Sequence, residues 1–539
     1  MGGGSSAIVV EFYCTGSFGS RLVAFRKLSI GFRVLQNDFL NSASAVPDMS
    51  EPQGPDMSAH SKKQMKQRGT APGSSKWQCA AALWCFLFMS SALWFAPDLR
   101  TESNFQEKQS RYLTYEEVRG TVAKYADSGL PGSTISTSQE WGEWIRAQDK
   151  DVRSRIDRGV EDSISNLVLF GSSFTKLPRL EGSEYAMDAT THKLSRAAIA
   201  RVHDLAVAAG STTQNERVTF VRELLKRKGV TTEQRGNYLA RNLVRYAEEQ
   251  QEYHKKLEEA QNSGDMDGAL AVQGTLYAKR GLSVDTSLLP NYAVEDTLRV
   301  LLTKGALKPN SVKRIAVIGP GLDFTDKRDG YDFYPLQTVQ PFAVMEAVER
   351  LGLGKKEELR VVTMDLNAAV TSHVAKLAAR AAQGRPYKLQ LPRDVGAHWT
   401  KEAVNYWQHF GEVVGTPTTP LRVPPQLASV SLRAVAVTPE RAARLIATDL
   451  NIVAQTADFA DGERLDLVVA TNILVYYDRF QQALAMTNIA RMMNTGGIFV
   501  SNTLLPSVHD ESLKYLGGRS VIYALDGSYG DDVVVYQKQ

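Results

Sequence analysis

From about residue 311 to residue 539 the sequence predicts an α/β domain built on a doubly wound, mostly parallel sheet. Three observations predict this fold. A short β-branched strand runs into a glycine turn at Gly319 and Gly321, strand and helix patterns then alternate, and two short strands at 521–524 and 533–536 form a closing antiparallel pair. We expect a mainly helical domain and an N-terminal apolar helix to precede this sheet domain.

The chain of 539 residues is long enough for more than one hydrophobic core. Its 43% hydrophobic and 23% charged residues are typical of a globular protein, and a net charge of +4 is too small to favour nucleic-acid binding. The only cysteines are Cys14, Cys79 and Cys85, and the eight histidines form no HExxH pattern. We therefore expect neither a nucleic-acid partner nor a metal site.

The N-terminal quarter contains an uncharged, strongly apolar segment at 77–97. Because about 20 apolar residues span a bilayer, this segment is predicted to be a signal peptide or a short transmembrane helix, with a buried core helix as the alternative. Lysine and arginine precede it, which predicts a cytoplasmic N-terminus and a membrane-anchored or exported, extracytoplasmic body. Residues 1–76 are predicted to be disordered or an over-extended N-terminus.

The segment 107–307 is predicted to be mainly helical. Leu239, Leu243 and Tyr246 recur at helical spacing, with charged residues between them. A small-residue stretch at 171–173 permits two interpretations, a loop facing a ligand or the capped end of a buried helix, and the second is favoured.

The sheet domain begins with a strand at 314–318, and its turn Gly319-Pro320-Gly321 lets the backbone pass close to a nucleotide. After a helix at 341–353, the second strand at 359–364 ends in Asp365. An acid at this point accepts hydrogen bonds from ribose hydroxyls, although an acid there also suits a helix N-cap. The next helix is predicted at 367–383.

The stretch 464–477 is a buried strand that ends at Asn472 and continues into an aromatic pair. Asp478 is placed to cap the following helix. We expect that helix to stop at 494–497 and another strand to occupy 498–502.

These residues carry a resemblance. The run 465–502 resembles the segment between the fourth and fifth strands of class I S-adenosylmethionine-dependent methyltransferases, and is most similar to the chemotaxis-receptor glutamate methyltransferases. Asn472, Leu474, Tyr476 and Tyr477 match that family's motif, whereas Thr471 stands where the family has arginine. The resemblance covers roughly residues 314–502, interrupted by an insertion at about 385–439.

The resemblance implies a Rossmann-like domain at 311–539 that binds S-adenosyl-L-methionine, a small-molecule cofactor. It implies that Asn472 and Tyr476 line the methyl-transfer face. The implied cofactor residues are Gly319, Gly321, Asp323, Asp365, Leu366, Asp449, Leu450 and Asn472.

The chain also departs from the family's pattern. Val317 and Gln340 replace acids, and Asp323 occupies the third glycine position. The loss of both acids and of the arginine at position 471 removes the strongest reason to expect glutamate O-methylation.

Three functions follow in order of preference. The first is methyl transfer from S-adenosylmethionine to an unidentified acceptor. The second is a non-catalytic, membrane-tethered module that retains the fold; an extracytoplasmic body, away from the cytosolic cofactor, favours it. The third is a nicotinamide-dependent oxidoreductase. It is disfavoured because Phe324 replaces the last glycine of GxGxxG and because the interval from Gly319 to Asp365 is long.

Overall fold

The structure is a computed structural model of the 539-residue chain. It describes residues 110–126, 135–180, 186–188, 191, 193–262, 281–282, 285–286, 288–325, 332–459, 462–505, 512–527 and 529–539. The apolar segment 77–97 and the rest of 1–109 lie outside the described residues. Within the described stretches, no helix combines the length and apolar character needed to span a membrane.

The first part of the described chain is helical, as the sequence predicts. Its elements are β1 (Arg111–Tyr112), α1 (Tyr115–Lys124), α2 (Ser138–Phe170), α3 (Arg196–Gly210), α4 (Glu216–Arg227), α5 (Arg235–Asn262) and α6 (Pro290–Thr303). Helices α2 to α5 share one hydrophobic core, to which α5 contributes the predicted Leu239, Leu243 and Tyr246. Gly171 is the C-cap of α2, so the helix-end interpretation of 171–173 is confirmed.

The sheet and its crossovers follow. Their chain order is β2 (Arg314–Ile318), α7 (Gln340–Arg350), β3 (Arg360–Asp365), α8 (Ala368–Ala381), β4 (Tyr387–Asp394), α9 (Lys401–His409), β5 (Gly415–Thr418), β6 (Val430–Val437), α10 (Pro439–Ala442), β7 (Leu445–Asp449), β8 (Gln455–Thr456), β9 (Leu465–Ala470), α11 (Arg479–Met492), β10 (Met493–Ser501), β11 (Leu513–Ile522) and β12 (Gly530–Lys538).

Seven of these strands form one sheet in the order β11-β12-β10-β9-β2-β3-β7. All the pairs from β10 to β7 are parallel, whereas β12 runs antiparallel to both β10 and β11. The chain moves outward from β2 first toward β7 and then toward β10, so the direction of winding reverses between β2 and β9. Ligands of doubly wound sheets bind beyond the carboxyl ends of the strands at such a switch point.

The predicted insertion forms a separate small sheet. Strands β4, β6 and β5 pair antiparallel in that order, and α9 lies between β4 and β5 in the chain. Leu389, Leu391, Val435 and Val437 of this sheet are buried in the same core as helices α6 and α7 and one face of the main sheet. The insertion therefore shares the hydrophobic core of the sheet domain.

One predicted boundary is wrong. The sequence suggests a break at 494–497 between helix and strand, but α11 ends at Met492 and β10 begins at Met493. The register between β10 and β9 shifts between Met493 and Ile498, where Gly496 has a φ of +82°. Between these two pairs β10 advances five residues and β9 only two, so the glycines that the sequence suggests as a turn interrupt the ladder inside the strand.

Candidate functional site

The turn after β2 requires glycine at its first position. Gly319 and Gly321 have φ values of +65° and +61°, a region that side chains rarely adopt. A Cβ atom on Gly319 would lie 2.0 Å from Cδ1 of Ile473, so any side chain at this position would also collide with Ile473. The Gly319 amide donates to the Met364 carbonyl at 2.8 Å, which ties the turn to the end of β3.

Asp365 ends β3 beside this turn. The backbone N–H groups of Gly321, Leu366 and Asn367 donate to its carboxylate, the last at 2.8 Å to Oδ1. Burial raises the pKa of Asp365 to about 6, although these hydrogen bonds oppose the shift. The N-cap of α8 is Asn367, whose side chain accepts from the Ala369 amide. Asp365 is therefore not the N-cap of that helix.

The end of β9 forms the third side of the site. Asn472 has a φ of +59°, a left-handed conformation that asparagine tolerates better than most residues. It makes two hydrogen bonds with Asn502, each of 2.7 Å. These bonds fix the backbone at the switch point, and the preceding Thr471 is buried there.

Thr471 and Gln340 contact each other. Gln340 Nε2 donates to Thr471 Oγ1 at 2.8 Å, and both side chains are buried. These are two of the positions at which the chain departs from the family that it resembles. The two departures therefore form one neutral hydrogen-bonded pair.

These elements border one cavity of about 490 Å³, within the usual range for ligand sites. We call it the cofactor cavity, after the cofactor that the sequence resemblance implies. It is bordered by the turn after β2, the end of β3 and the end of β9, and continues to the junction of β11 and β12. Three carboxylates line it: Asp285, Asp365 and Asp531. Among the described residues that line it, none is lysine, arginine or histidine.

Most of the predicted site residues line this cavity. They are Gly319, Gly321, Asp365, Leu366, Leu450, Asn472 and Tyr476. Tyr477 lines it too and is buried, and burial raises its pKa to about 12, so its hydroxyl stays protonated at neutral pH.

The structure places Asp323 and Asp449 away from the lining. Asp323 is buried and accepts hydrogen bonds from Tyr334 Oη and Gln337 Nε2, both at 2.8 Å. Asp449 lies opposite Asp365 on the neighbouring strand, but its carboxylate pairs with Arg153 of α2 at 2.8 Å. Both carboxylates are therefore held by other side chains.

Sequence reasoning missed two parts of the cavity wall. One comes from the helical region and includes Ile156, Leu282 and Asp285. No local pattern marks those residues, because Ile156 lies on α2 and a bridge between Asp285 and Leu322 brings the segment of Leu282 and Asp285 to the turn after β2. The other part, Tyr523 and Asp531, follows from the rule that ligands bind at the carboxyl ends of parallel strands, since β11 ends at this edge.

Among the comparisons with known proteins, matches occur only with solved structures. No family model matches the chain, and no curated protein matches it. One similar structure is N-methyltransferase NodS from Bradyrhizobium japonicum WM9 in complex with S-adenosyl-l-homocysteine, at 11% identity and a TM-score of 0.22 over 46% of this chain and 88% of that chain.

A second is magnesium protoporphyrin IX methyltransferase (ChlM) from Synechocystis PCC 6803 with bound SAM, at 9% identity and a TM-score of 0.21 over 47% of this chain and 81% of that chain. A third is an O-methyltransferase family protein from Burkholderia thailandensis, at 10% identity and a TM-score of 0.24 over 75% of this chain and 99% of that chain. All three are methyltransferases. At these identities and TM-scores, the likeness assigns neither a cofactor nor an acceptor to this chain.

Proposed function

We propose that this chain binds S-adenosylmethionine in the cofactor cavity and transfers its methyl group to an acceptor. The charge of the cavity wall carries the proposal. Three carboxylates and no cationic side chain among the described lining residues suit a ligand with a positive sulfonium and an ammonium group. The same wall opposes a dinucleotide, whose pyrophosphate is negatively charged.

The proposed contacts with the cofactor follow from which residues lie at the carboxyl ends of the parallel strands. Asp365, ionised above its pKa of about 6, accepts hydrogen bonds from the ribose hydroxyls. Leu366 and Leu450 give the adenine apolar contact, and the turn at Gly319 lets backbone approach the cofactor closely. Asn472 and Tyr476 line the methyl-transfer face.

The bound cofactor supplies an activated methyl group with a good leaving group. The chain needs little acid–base chemistry of its own and contributes mainly by holding two reactants in line. The hydrogen-bonded backbone at Asn472 and the buried Tyr477 suit that task, because both are held in place and form a rigid part of the cavity wall.

Topology and local structure both disfavour the oxidoreductase. A dinucleotide site places its pyrophosphate at a helix N-terminus directly after the glycine turn. Here α7 begins only at Gln340, well beyond Gly321. The mixed, mostly parallel sheet, with the antiparallel β12 between β10 and β11, fits a Rossmann-like methyltransferase fold.

The alternative is a non-catalytic module with a degenerate site. It rests on the departures at Val317, Gln340 and Thr471. Val317 is a fully buried core residue of β2, and the other two form a hydrogen bond with each other. These positions are thus occupied by well-packed, paired side chains, which favours an adapted site over a decayed one. Glutamate O-methylation is not part of the proposal.

Calorimetry on the full chain tests the proposal. We expect S-adenosylmethionine and S-adenosylhomocysteine to bind and NADH not to bind. Asp365→Ala is expected to weaken binding of both sulfur ligands at least about tenfold, whereas Asp449→Ala is the matched control, because it removes an acid from the same level of the next strand but outside the cavity. Absence of binding by both sulfur ligands favours the non-catalytic module, and binding of NADH alone overturns the assignment.

Membrane placement through 77–97 also remains a proposal, because that segment lies outside the described residues. The basic flank predicts an extracytoplasmic body, whereas the proposed cofactor is cytosolic. A reporter fused after Gln539, active only on one side of the membrane, distinguishes these locations. Cytosolic activity would contradict the topology and remove the conflict with the proposed function.

A further inference from the structure

A second, smaller pocket lies between the start of α6 and the insertion. We call it the acceptor pocket and define it by Asn291, Tyr292, Arg393, Tyr406 and Trp407. Its volume is about 70 Å³, enough for a few water molecules or one small polar group but not for a whole cofactor. Strand β4 and helix α9 supply much of its wall, so the insertion creates it.

Four buried polar atoms of this wall have no hydrogen-bond partner among the described residues. They are Asn291 Oδ1, Arg393 Nε, Tyr406 Oη and Trp407 Nε1. Buried polar atoms are normally paired, and a group of unpaired ones in a single pocket calls for a ligand or water. Three of the four can donate a hydrogen bond, so the pocket is built mainly to receive an acceptor oxygen.

The pocket wall carries one acid, Asp394, which accepts a hydrogen bond from the Gly396 amide, and one base, Arg393. The Arg393 guanidinium lies 4.7 Å from the centre of the Trp407 ring and makes no ion pair with any described residue. The guanidinium of Arg433 lies 5.1 Å from the centre of the same ring and donates to the Phe410 carbonyl. Arg433 thus has a partner within the protein, whereas the fixed charge of Arg393 is available to an anion.

The acceptor pocket adjoins the cofactor cavity. Leu289 and Tyr523 line both spaces, and the Tyr523 hydroxyl donates to Asp531 of the cofactor cavity. Tyr292 lies between Tyr523 and Tyr406, with ring centroids at 5.8 and 5.4 Å. A molecule anchored among these rings therefore extends past Tyr523 toward the proposed methyl donor.

We propose that the acceptor pocket holds a carboxylate of the methyl acceptor. This inference rests on the proposed function and adds the chemical class of the acceptor. The carboxylate accepts from Arg393, Tyr406 and Trp407, and an N–H or O–H of the same molecule donates to Asn291 Oδ1. Because the pocket is small, the body of the acceptor lies in the cofactor cavity, where the methyl group is received.

Calorimetry with two small probes tests the pocket. Benzoate and its neutral counterpart benzamide are titrated into the full chain, with and without saturating S-adenosylhomocysteine. We expect benzoate to bind and benzamide to bind at least about tenfold more weakly, because only the anion pairs with the guanidinium. Equal binding of the two probes, or no binding of benzoate, overturns the inference.

Two variants and one control complete the test. Arg393→Gln and Trp407→Phe each remove one donor, and each is expected to weaken benzoate binding by about tenfold, with S-adenosylhomocysteine binding unchanged. Arg422→Gln removes an exposed arginine of the same insertion and is expected to change neither affinity. Unchanged benzoate binding in both pocket variants contradicts the inference.

The two proposals fail separately. If S-adenosylhomocysteine binds and benzoate does not, the acceptor class is wrong and the cofactor assignment survives. If benzoate binds through Arg393 and S-adenosylhomocysteine does not bind, the pocket survives and the proposed function falls.

Discussion

The cofactor cavity and the acceptor pocket share a wall but differ in charge. Three acids, Asp285, Asp365 and Asp531, line the larger space without a described base, whereas the smaller one has Arg393 beside Asp394 together with several unpaired donors. A single ligand class does not suit both. The difference fits the two proposed ligands, a cationic methyl donor on the sheet and an anionic acceptor on the insertion, which would meet at the common boundary of the two spaces.

The largest effect is expected from Gly319→Ala. Strain at a φ of +65° adds to the collision of the new Cβ with Ile473, so affinity for S-adenosylhomocysteine is expected to fall about a hundredfold or more. Benzoate binding is expected to be unchanged, because Gly319 does not line the acceptor pocket. Calorimetry with each ligand measures both.

Gly305→Ala is the matched control for backbone strain. Gly305 has a φ of +74°, and a Cβ there meets no atom within 4 Å. This variant is expected to lose some stability and to keep its affinity. If it loses affinity as severely as Gly319→Ala, general strain rather than crowding of the turn explains the effect.

A smaller effect is expected from Asp365→Asn. Removing the charge-assisted hydrogen bonds is expected to weaken S-adenosylhomocysteine binding about tenfold at pH 8. The pKa of about 6 predicts a pH dependence: the wild-type affinity falls as the pH drops below 6 and the carboxylate takes up a proton. The affinity of the variant is expected to lack this inflection. An inflection that persists in the variant would assign the titration to another group.

Asp365→Asn is expected to weaken ligand binding without lowering the stability of the folded chain. Folding raises the pKa of Asp365 from 3.8, so the folded chain holds this proton more tightly than the unfolded chain. The contribution to stability is present below about pH 4 and is lost as the pH rises through 6. At pH 8, Asp365→Asn is therefore expected to melt at the same temperature or higher. A clear decrease in melting temperature would mean that the backbone hydrogen bonds to the carboxylate dominate.

The charge of the cavity is tested by comparing two ligands. S-adenosylmethionine carries a positive sulfur and S-adenosylhomocysteine does not. Asp285→Asn and Asp531→Asn are each expected to lower the affinity ratio of the charged to the neutral ligand by about fivefold. Asp458→Asn, an exposed acid paired with Arg111, is the control. A ratio that changes in none of the cavity variants contradicts the electrostatic basis of the assignment.

The sequence predicted one side of the cofactor cavity and not the other. Gly319 and Asp365 were found because strand ends, positive-φ turns and ribose-binding acids have local patterns. The resemblance implies Asp323 as a cofactor residue, but its hydrogen bonds to Tyr334 and Gln337 hold it outside the cavity lining. Asp285 has no pattern, since a long-range bridge to Leu322 places it beside the turn after β2.

The acceptor pocket was beyond prediction for a related reason. Its unpaired polar atoms come from the start of α6 and from the insertion, segments that share no motif and meet only when the small sheet packs onto the core. Hydrophobic periodicity predicts that such segments are buried. It does not predict which polar atoms remain unpaired between them, because that depends on the packed geometry.

The smallest effect on affinity is expected from Thr471→Val. Thr471 lines the cofactor cavity, but its hydroxyl already accepts from Gln340, so affinity for S-adenosylhomocysteine is expected to change less than about twofold. Stability is expected to fall by about 1–3 kcal/mol in denaturant unfolding, because the buried Gln340 amide loses its partner. The double variant Gln340→Leu with Thr471→Val removes both polar groups and is expected to recover much of that loss. A tenfold loss of affinity in Thr471→Val, with stability unchanged, would show that this hydroxyl contacts the ligand instead.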